Sequence, residues 1–208
     1  TSGHLQSFTI IGVTNPTVKQ ALAQRAESTA ILECGYLFIF CVDFYRIMAT
    51  IDDNKKEKMR ENVSFTYFFQ TGITSTAIAV QNANLAAESI GLGTVILGGV
   101  GAVPELDEWL DLPGNVIPLV GLAVGVPDEM PEQKPRLPQS AIFFENKYNR
   151  DLKDMVEKYD KCIEEYYAHR TSNQRITNWS QRNMNMLTQD IPFEFYSEYV
   201  KRKGFALK

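Results

Sequence analysis

Two cations flank a proline in Lys134-Pro135-Arg136, the short motif whose residue types best suit binding chemistry. Proline holds its backbone angle φ at about −65°, so a loop built on it can present both charged heads with little ordering cost. A phosphate or a ribityl-type polyol would accept hydrogen bonds from such a pair. A solvated loop with scattered charge fits the same residues, and the sequence alone leaves both interpretations open.

A second basic cluster lies in the segment H-R-T-S-N-Q-R, residues 169–175. Arg170 and Arg175 supply positive charge, and Ser172 and Asn173 supply hydrogen-bond partners, a combination that suits a phosphomonoester. The alternative is a surface helix end at which arginine meets the negative end of the helix dipole. The residues by themselves do not decide between the two.

Two further stretches are candidates for contact with a flat ligand. Thr1, Ser2 and Gln6 are small or amide-bearing residues just before an apolar strand, and they could touch the hydrogen-bonding edge of a heterocycle. Gly98-Gly99 follows another short apolar strand and leaves the backbone there without side chains, so something flat or anionic could lie against it. A tight helix-strand-turn connection would explain the glycines equally well.

Several classes of enzyme lack their chemical groups in this sequence. It contains no G-x-S-x-G elbow, P-loop, H-E-x-x-H or C-x-x-C motif. Two histidines do not make a histidine-rich metal site, and Cys34, Cys41 and Cys162 lack paired metal spacing, so we expect reduced core thiols and no metal. Chemistry on this chain would therefore need a cofactor.

Composition describes an ordinary soluble protein of one domain, or of one domain with an arm. The 208 residues are 44% hydrophobic and carry a net charge of −4, with no basic stripe, so we expect no nucleic-acid partner. The apolar runs at 36–42 and 116–126 are too short or too interrupted to span a bilayer, and no signal peptide precedes them. The sequence therefore predicts a cytoplasmic protein without a membrane partner.

Hydrophobic patterning predicts an α+β layer fold on a mixed sheet. Strands are expected at 8–13, 36–42, 94–97, 116–124 and 141–145, and helices at 16–27, at the charged segment 50–62, at 155–170 and at 193–202. A G-x-G-x-x-G loop after a first strand is missing, so a doubly wound dinucleotide-binding fold is not indicated.

A central helix is predicted from Thr76 onward, ended by Gly91 and Gly93. Its residues are small and apolar on almost every helical face, which is typical of a helix buried on all sides. A dimer interface covering one of its faces would give the same pattern.

The motifs together resemble a known family over essentially the whole chain. The segments T-S-G-H-L-Q before a strand, A-A-E-S-I-G-L-G, a strand ending in G-G, K-P-R-L-P and E-Y-Y-x-x-R-T-S-N are similar to those of the FMN-dependent nitroreductase superfamily. Within it they resemble the NADPH-preferring major nitroreductase and flavin reductase P subgroup. The resemblance implies a homodimeric α+β fold with a mixed, mainly antiparallel sheet flanked by helices and a long central helix. It also implies a core at residues 1–150 that binds FMN, and a C-terminal helical extension at residues 151–208.

The resemblance also implies roles for particular residues. The residues matched to FMN contacts are Thr1, Ser2, Gly3, Gln6, Ile96, Leu97, Gly98, Gly99, Lys134 and Arg136. Arg170 and Arg175 match the arginines for the 2′-phosphate of NADPH. No protein residue is implied as catalytic acid or base, because the flavin N5 carries the chemistry and Lys134 helps electrostatically.

The implied function is NADPH-dependent FMN oxidoreduction, a ping-pong two-electron reduction of small aromatic acceptors such as nitroaromatics, quinones or free flavins. The sequence departs from the family at two places, and the first of these departures keeps a second hypothesis open. The chain begins after the position of the family's N-terminal motif for the FMN phosphate, and the family's glycine and glutamine before the second strand have no clear counterpart at residues 27–30. The alternative is a degenerate, flavin-free dimeric interaction protein of the same fold.

Overall fold

A four-stranded sheet lies at the centre of the computed structural model, which describes residues 1–190 and 193–208. The strands are β1 (Phe8–Val13), β2 (Tyr36–Asp43), β3 (Gly93–Leu97) and β4 (Val116–Gly125), in the spatial order β1-β2-β4-β3. Each of the three described pairings is antiparallel. The prediction of a mainly antiparallel sheet is confirmed, as are four of the five predicted strands.

The strand predicted at 141–145 is wrong. This segment begins in the 3-10 turn Gln139–Ala141, and Phe143 donates its backbone N–H to the carbonyl oxygen of Gln139 at 2.8 Å. The side chains of Ile142 and Phe143 are exposed. An apolar run becomes a strand only when a neighbouring strand completes its hydrogen bonds, and here local turn bonds take that place.

Helices cover both faces of the sheet and form the later part of the chain. In chain order they are α1 (Pro16–Arg25), α2 (Ala30–Glu33), α3 (Tyr45–Ala49), α4 (Asp53–Val63), α5 (Thr66–Ser89), α6 (Leu106–Trp109), α7 (Lys153–His169), α8 (Trp179–Leu187) and α9 (Glu194–Arg202). The side chain of Asn15 accepts a hydrogen bond from the backbone N–H of Thr17 at 2.9 Å, so Asn15 caps the start of α1. In the part of the chain that the structure describes, none of the helices combines the length and the hydrophobicity of a membrane span.

Strand β2 is buried on both faces, as its continuous apolar run predicts. Leu37, Ile39 and Cys41 lie in a core cluster together with residues of α1 and β1. Phe40, on the other face, packs with Val80 of α5. Burial also raises the pKa of the Cys41 thiol to about 12, so this cysteine stays protonated and unreactive in the core.

The central helix α5 runs for 24 residues and is followed by Gly91, whose φ of 83° is the left-handed value that favours glycine. Gly72 lies so close to Val42 and Phe44 that a side chain at this position would overlap them. The opposite face is open, with Ile78 45% and Leu85 54% exposed. The expectation that the helix is buried on all sides is therefore wrong for the chain by itself. Its small residues pack closely against the sheet along one face, and the chain does not cover the other face.

The chain forms two compact units, Thr1–Asp128 with Phe193–Lys208, and Glu129–Pro192. This division differs from the expected one at 1–150 and 151–208. The first boundary falls where the proline-rich loop begins, and the segment 193–208 returns to the first unit. Backbone hydrogen bonds fasten that segment there, from Asn115 N to Lys203 O at 2.9 Å and from Leu207 N to Ser64 O at 2.8 Å.

A buried charge fastens α9 to the first unit. Lys203 is 5% exposed, and its Nζ donates to Asp107 Oδ1 at 2.9 Å and to the carbonyl oxygen of Leu112 at 3.2 Å. Tyr199 donates its hydroxyl to the same carboxylate oxygen at 2.8 Å. Burial is the main cause that raises the pKa of Tyr199, and the hydrogen bond to Asp107 is the second. The phenol therefore stays protonated and acts as a donor.

Candidate functional site

The predicted ligand residues of the N-terminal segment are fastened to the central helix. Ser75 of α5 is fully buried, and its Oγ accepts a hydrogen bond from the backbone N–H of Ser2 at 3.0 Å. Thr1 Oγ1 accepts from the backbone N–H of Gln6 at 2.9 Å and lies 3.4 Å from the Ser75 hydroxyl. Gly3 and Gln6 both have positive φ, 57° and 49°. The structure therefore gathers these four residues into one short, tightly turned loop.

The second predicted segment lies at the end of β3, an edge strand of the described sheet. Ile96 is exposed, whereas the side chain of Leu97 is buried in the core, so Leu97 can offer a ligand only its backbone. The chain then turns through the 3-10 helix Gly98–Ala102. A Cβ added to Gly98 would meet no atom within 4 Å, and one added to Gly99 would contact only Ala26. The backbone here is open to a planar group.

Tyrosines of α7 hold the loop of residues 132–136, which carries Lys134 and Arg136 and which we call the cation loop. The hydroxyl of Tyr159 donates to the carbonyl oxygen of Pro135 at 3.0 Å. Tyr166 donates in the same way to Glu132 O at 3.4 Å. The guanidinium of Arg136 donates to the carbonyl oxygen of Lys134 at 2.8 Å, which stiffens the loop further. The basic motif is therefore a loop fixed to a helix and is not a freely moving one.

Tyr167 joins two cations that are distant in sequence. Its hydroxyl oxygen accepts hydrogen bonds from Lys134 Nζ at 3.0 Å and from the guanidinium of Arg182 at 3.1 Å. The hydrogen bond from Lys134 is the main cause that lowers the pKa of the Tyr167 phenol. In the sequence, Tyr167 is part of the E-Y-Y-x-x-R-T-S-N motif without an assigned function, and Arg182 lies in none of the quoted motifs. The repeated tyrosines at 159, 166 and 167 share one helical face, and that spacing was the available signal.

The two arginines assigned to a phosphate lie beside different cavities of the second unit. The guanidinium carbon of Arg170 lies 5.3 Å from the ring centroid of Tyr166 and 5.9 Å from that of Tyr167, so Arg170 covers aromatic faces. It borders a small cavity of about 80 Å³. Arg175 is exposed and lines a larger cavity of about 470 Å³ together with Glu164 and Tyr167.

Each unit offers groups that fit part of a flavin mononucleotide. The open backbone at Gly98 and the exposed Ile96 suit a planar ring in the first unit. In the second unit, Lys134 and Arg136 form no ion pair with a carboxylate in the described part of the chain, so their remaining donors suit a phosphate or a polyol. The chemistry of the residues present is therefore compatible with this cofactor.

Comparison with known proteins shows the family to which the chain is similar. Two family models match the chain, "Nitroreductase family" over residues 1–126 and "Nitroreductase family, C-terminal domain" over residues 134–208. The chain is 38% identical to an FMN reductase (NADPH) of Bacillus subtilis, covering 99% of this chain and 84% of that protein. It is 39% identical to an NADPH-flavin oxidoreductase of Vibrio harveyi, over 99% and 83% of the two chains.

The solved structure of the NfrA1 nitroreductase from B. subtilis superimposes with a TM-score of 0.90 at 36% identity, covering 100% of this chain and 85% of that one. Fold and sequence therefore define an α+β protein of the flavin oxidoreductase type. The chain belongs to the nitroreductase family.

Proposed function

We propose that this chain is an NADPH-dependent FMN oxidoreductase that reduces small aromatic acceptors such as nitroaromatics, quinones or free flavins by two electrons. The observation that carries the proposal is the similarity, over 99% of the chain, to relatives called FMN reductase (NADPH) and NADPH-flavin oxidoreductase. The open glycine backbone of the first unit and the fixed cation loop of the second unit each support it, because each by itself suits one part of FMN.

Bound FMN would supply the reversible acceptance and donation of hydride. The chain's own residues would bind and orient it. Ser2 and Gln6 would contact the heterocycle from a loop that Ser75 fastens to α5. The backbone at Gly98 and Gly99 would lie against the ring, because no side chain there keeps it away.

Lys134 and Arg136 would hold the phosphate, the ribityl chain and the pyrimidine oxygens. A fixed ammonium beside the pyrimidine edge stabilises the negative charge that gathers there on reduction, and it does so without reorganising. Tyr167 keeps the Lys134 head at a defined place, and the hydroxyl of Tyr159 holds the backbone between the two cations.

The test is to load the purified protein with FMN, remove free flavin by gel filtration, and follow NADPH oxidation with a nitroaromatic or a quinone. We expect a yellow preparation that retains flavin and turns over, with NADPH preferred to NADH. A folded protein that retains no flavin and shows no turnover would contradict the proposal and favour the flavin-free interaction protein.

We further propose that the open face of α5 contacts a second copy of the chain. Tyr67, Ile78 and Leu85 are exposed apolar residues at helical spacing along this face, and exposed apolar stripes of this kind mark interfaces. Charging its centre with Ile78→Glu plus Leu85→Glu is expected to give a monomer in analytical ultracentrifugation. Met186→Glu, at an exposed apolar residue of α8, is the control and should leave the mass unchanged. A monomeric wild-type protein that carries flavin would contradict the interface.

A further inference from the structure

We infer that Tyr167 is a positioning residue: its hydroxyl holds the ammonium of Lys134 in place for the cofactor, and Arg182, which binds the same hydroxyl, helps to determine where that ammonium lies. The inference rests on the proposed function, because it gives the cation loop a task toward bound FMN. It assigns a role to Tyr167, which lies in the E-Y-Y-x-x-R-T-S-N motif without a function of its own, and to Arg182, which lies in none of the quoted motifs.

The phenol oxygen of Tyr167 is a fixed point within the second unit. Tyr167 is 4% exposed and packs with Tyr159 and Ile163 of α7, against which Leu137 also packs. The Lys134 side chain, in contrast, has four rotatable carbon–carbon bonds and a head with three donors. A hydrogen bond of 3.0 Å to an immobile acceptor therefore restricts the ammonium far more than it restricts the phenol.

The charges around this oxygen explain why position 167 needs a phenol and not only an aromatic ring. Lys134 Nζ and the Arg182 guanidinium converge on the same atom, at 3.0 and 3.1 Å, so two like charges share one acceptor. Lys134 Nζ also lies 5.2 Å from the centroid of the Tyr167 ring. Without the oxygen, repulsion between the two cations would no longer be offset and the ammonium would move away.

Tyr159 provides a matched comparison on the same helix. It is 7% exposed, and its hydroxyl also forms one hydrogen bond of 3.0 Å to the cation loop. That bond goes to the carbonyl oxygen of Pro135, however, and not to the ammonium of Lys134. Loss of the Tyr159 hydroxyl should therefore loosen the loop generally, whereas loss of the Tyr167 hydroxyl should act through Lys134.

The experiment is a double-mutant cycle read as FMN affinity, measured by the quenching of flavin fluorescence on binding. Tyr167→Phe is expected to raise the Kd for FMN roughly threefold to tenfold, the change expected from one hydrogen bond of about 1 kcal/mol, and Lys134→Met, which removes the charged donor itself, is expected to raise it by at least as much. The double variant should bind no worse than Lys134→Met alone, because the hydroxyl has no effect once the ammonium is gone.

The controls separate this role from a structural one. The effects of Tyr159→Phe and of Lys134→Met on the Kd for FMN should multiply. Urea unfolding of each apoprotein should show that all variants are folded. Effects of Tyr167→Phe and Lys134→Met that multiply, in a wild type that binds FMN, would overturn this inference alone. A wild type that binds no FMN would overturn the proposed function and the inference together.

Discussion

Replacing Arg175 with alanine is expected to raise the KM for NADPH about tenfold to a hundredfold and to leave the KM for NADH nearly unchanged. The 2′-phosphate is the group that distinguishes the two nucleotides, and a hydrogen bond to a charged group contributes about 1.5–3 kcal/mol. Because 1.36 kcal/mol corresponds to a factor of ten, this range gives one to two orders of magnitude. Steady-state kinetics of the FMN-loaded enzyme with each nucleotide measures the difference.

The sizes of the two cavities explain why we expect the larger effect from replacing Arg175 and not Arg170. A nucleotide site needs a few hundred cubic ångströms, which the cavity of about 470 Å³ beside Arg175 provides and the one of about 80 Å³ beside Arg170 does not. Arg170 also lies against Tyr166 and Tyr167, so Arg170→Ala should affect NADPH less than Arg175→Ala does.

Arg150, an exposed arginine of the second unit that lines neither cavity, is the control and should change neither KM when replaced by alanine. An Arg175→Ala variant whose KM rises equally for NADPH and NADH would remove the assignment of Arg175 to the 2′-phosphate.

Replacing Lys203 with methionine is expected to lower the free energy of unfolding by about 3 kcal/mol. Removing one partner of a buried ion pair costs about 3–5 kcal/mol because the other charge is left uncompensated. Asp107 is partly exposed, with a side chain 24% accessible, and it keeps the hydrogen bond from Tyr199, so we expect the lower end of that range. Urea denaturation followed by circular dichroism measures the change.

Lys201 on the same helix provides the control for this experiment. It pairs with Glu198 at 3.0 Å, but the two side chains are 49% and 75% accessible to water, and exposed pairs contribute about 0.2–1 kcal/mol. Lys201→Met should therefore cost much less than Lys203→Met. Adding Asp107→Leu to Lys203→Met should recover part of the loss, because no unpaired buried charge then remains. Equal costs for the two lysine variants would show that burial of Lys203 does not matter to stability.

The fold was predictable where one short segment determines its own structure. The run 36–42 has the continuous apolar pattern of a strand buried on both faces, and Asn15-Pro16 predicts a helix start from two residues. The segment 141–145 looks equally strand-like, but a strand also needs a partner edge, which its own residues cannot reveal. The small residues of α5 similarly indicate close packing without saying whether the neighbour belongs to the same chain.

The residues of the candidate site likewise fall into two groups, those that a local pattern reveals and those that only tertiary packing reveals. Lys134 and Arg136 were found because a proline between two cations is a local signal, and the resemblance to the family supplied their assignment to FMN. The roles of Tyr167 and Arg182 were missed because their contacts are distant in sequence: one joins α7 to Lys134, 33 positions away in a loop, and the other joins α7 to α8 across 15 positions. Which helical face meets the cation loop depends on tertiary packing, so no local pattern shows it.

The return of residues 193–208 to the first unit makes the order of biosynthesis matter for folding. On the ribosome, Asp107 is made well before its partner Lys203, and the whole second unit is translated between residue 128 and residue 193. At about 5–20 residues per second, that interval is on the order of 3 to 13 s. Throughout it the nascent first unit lacks Tyr199, Val200 and Phe205, which fill its core, and so leaves apolar surface uncovered. Productive folding of this protein is thus completed after that interval, with a window in which the growing chain is prone to aggregate.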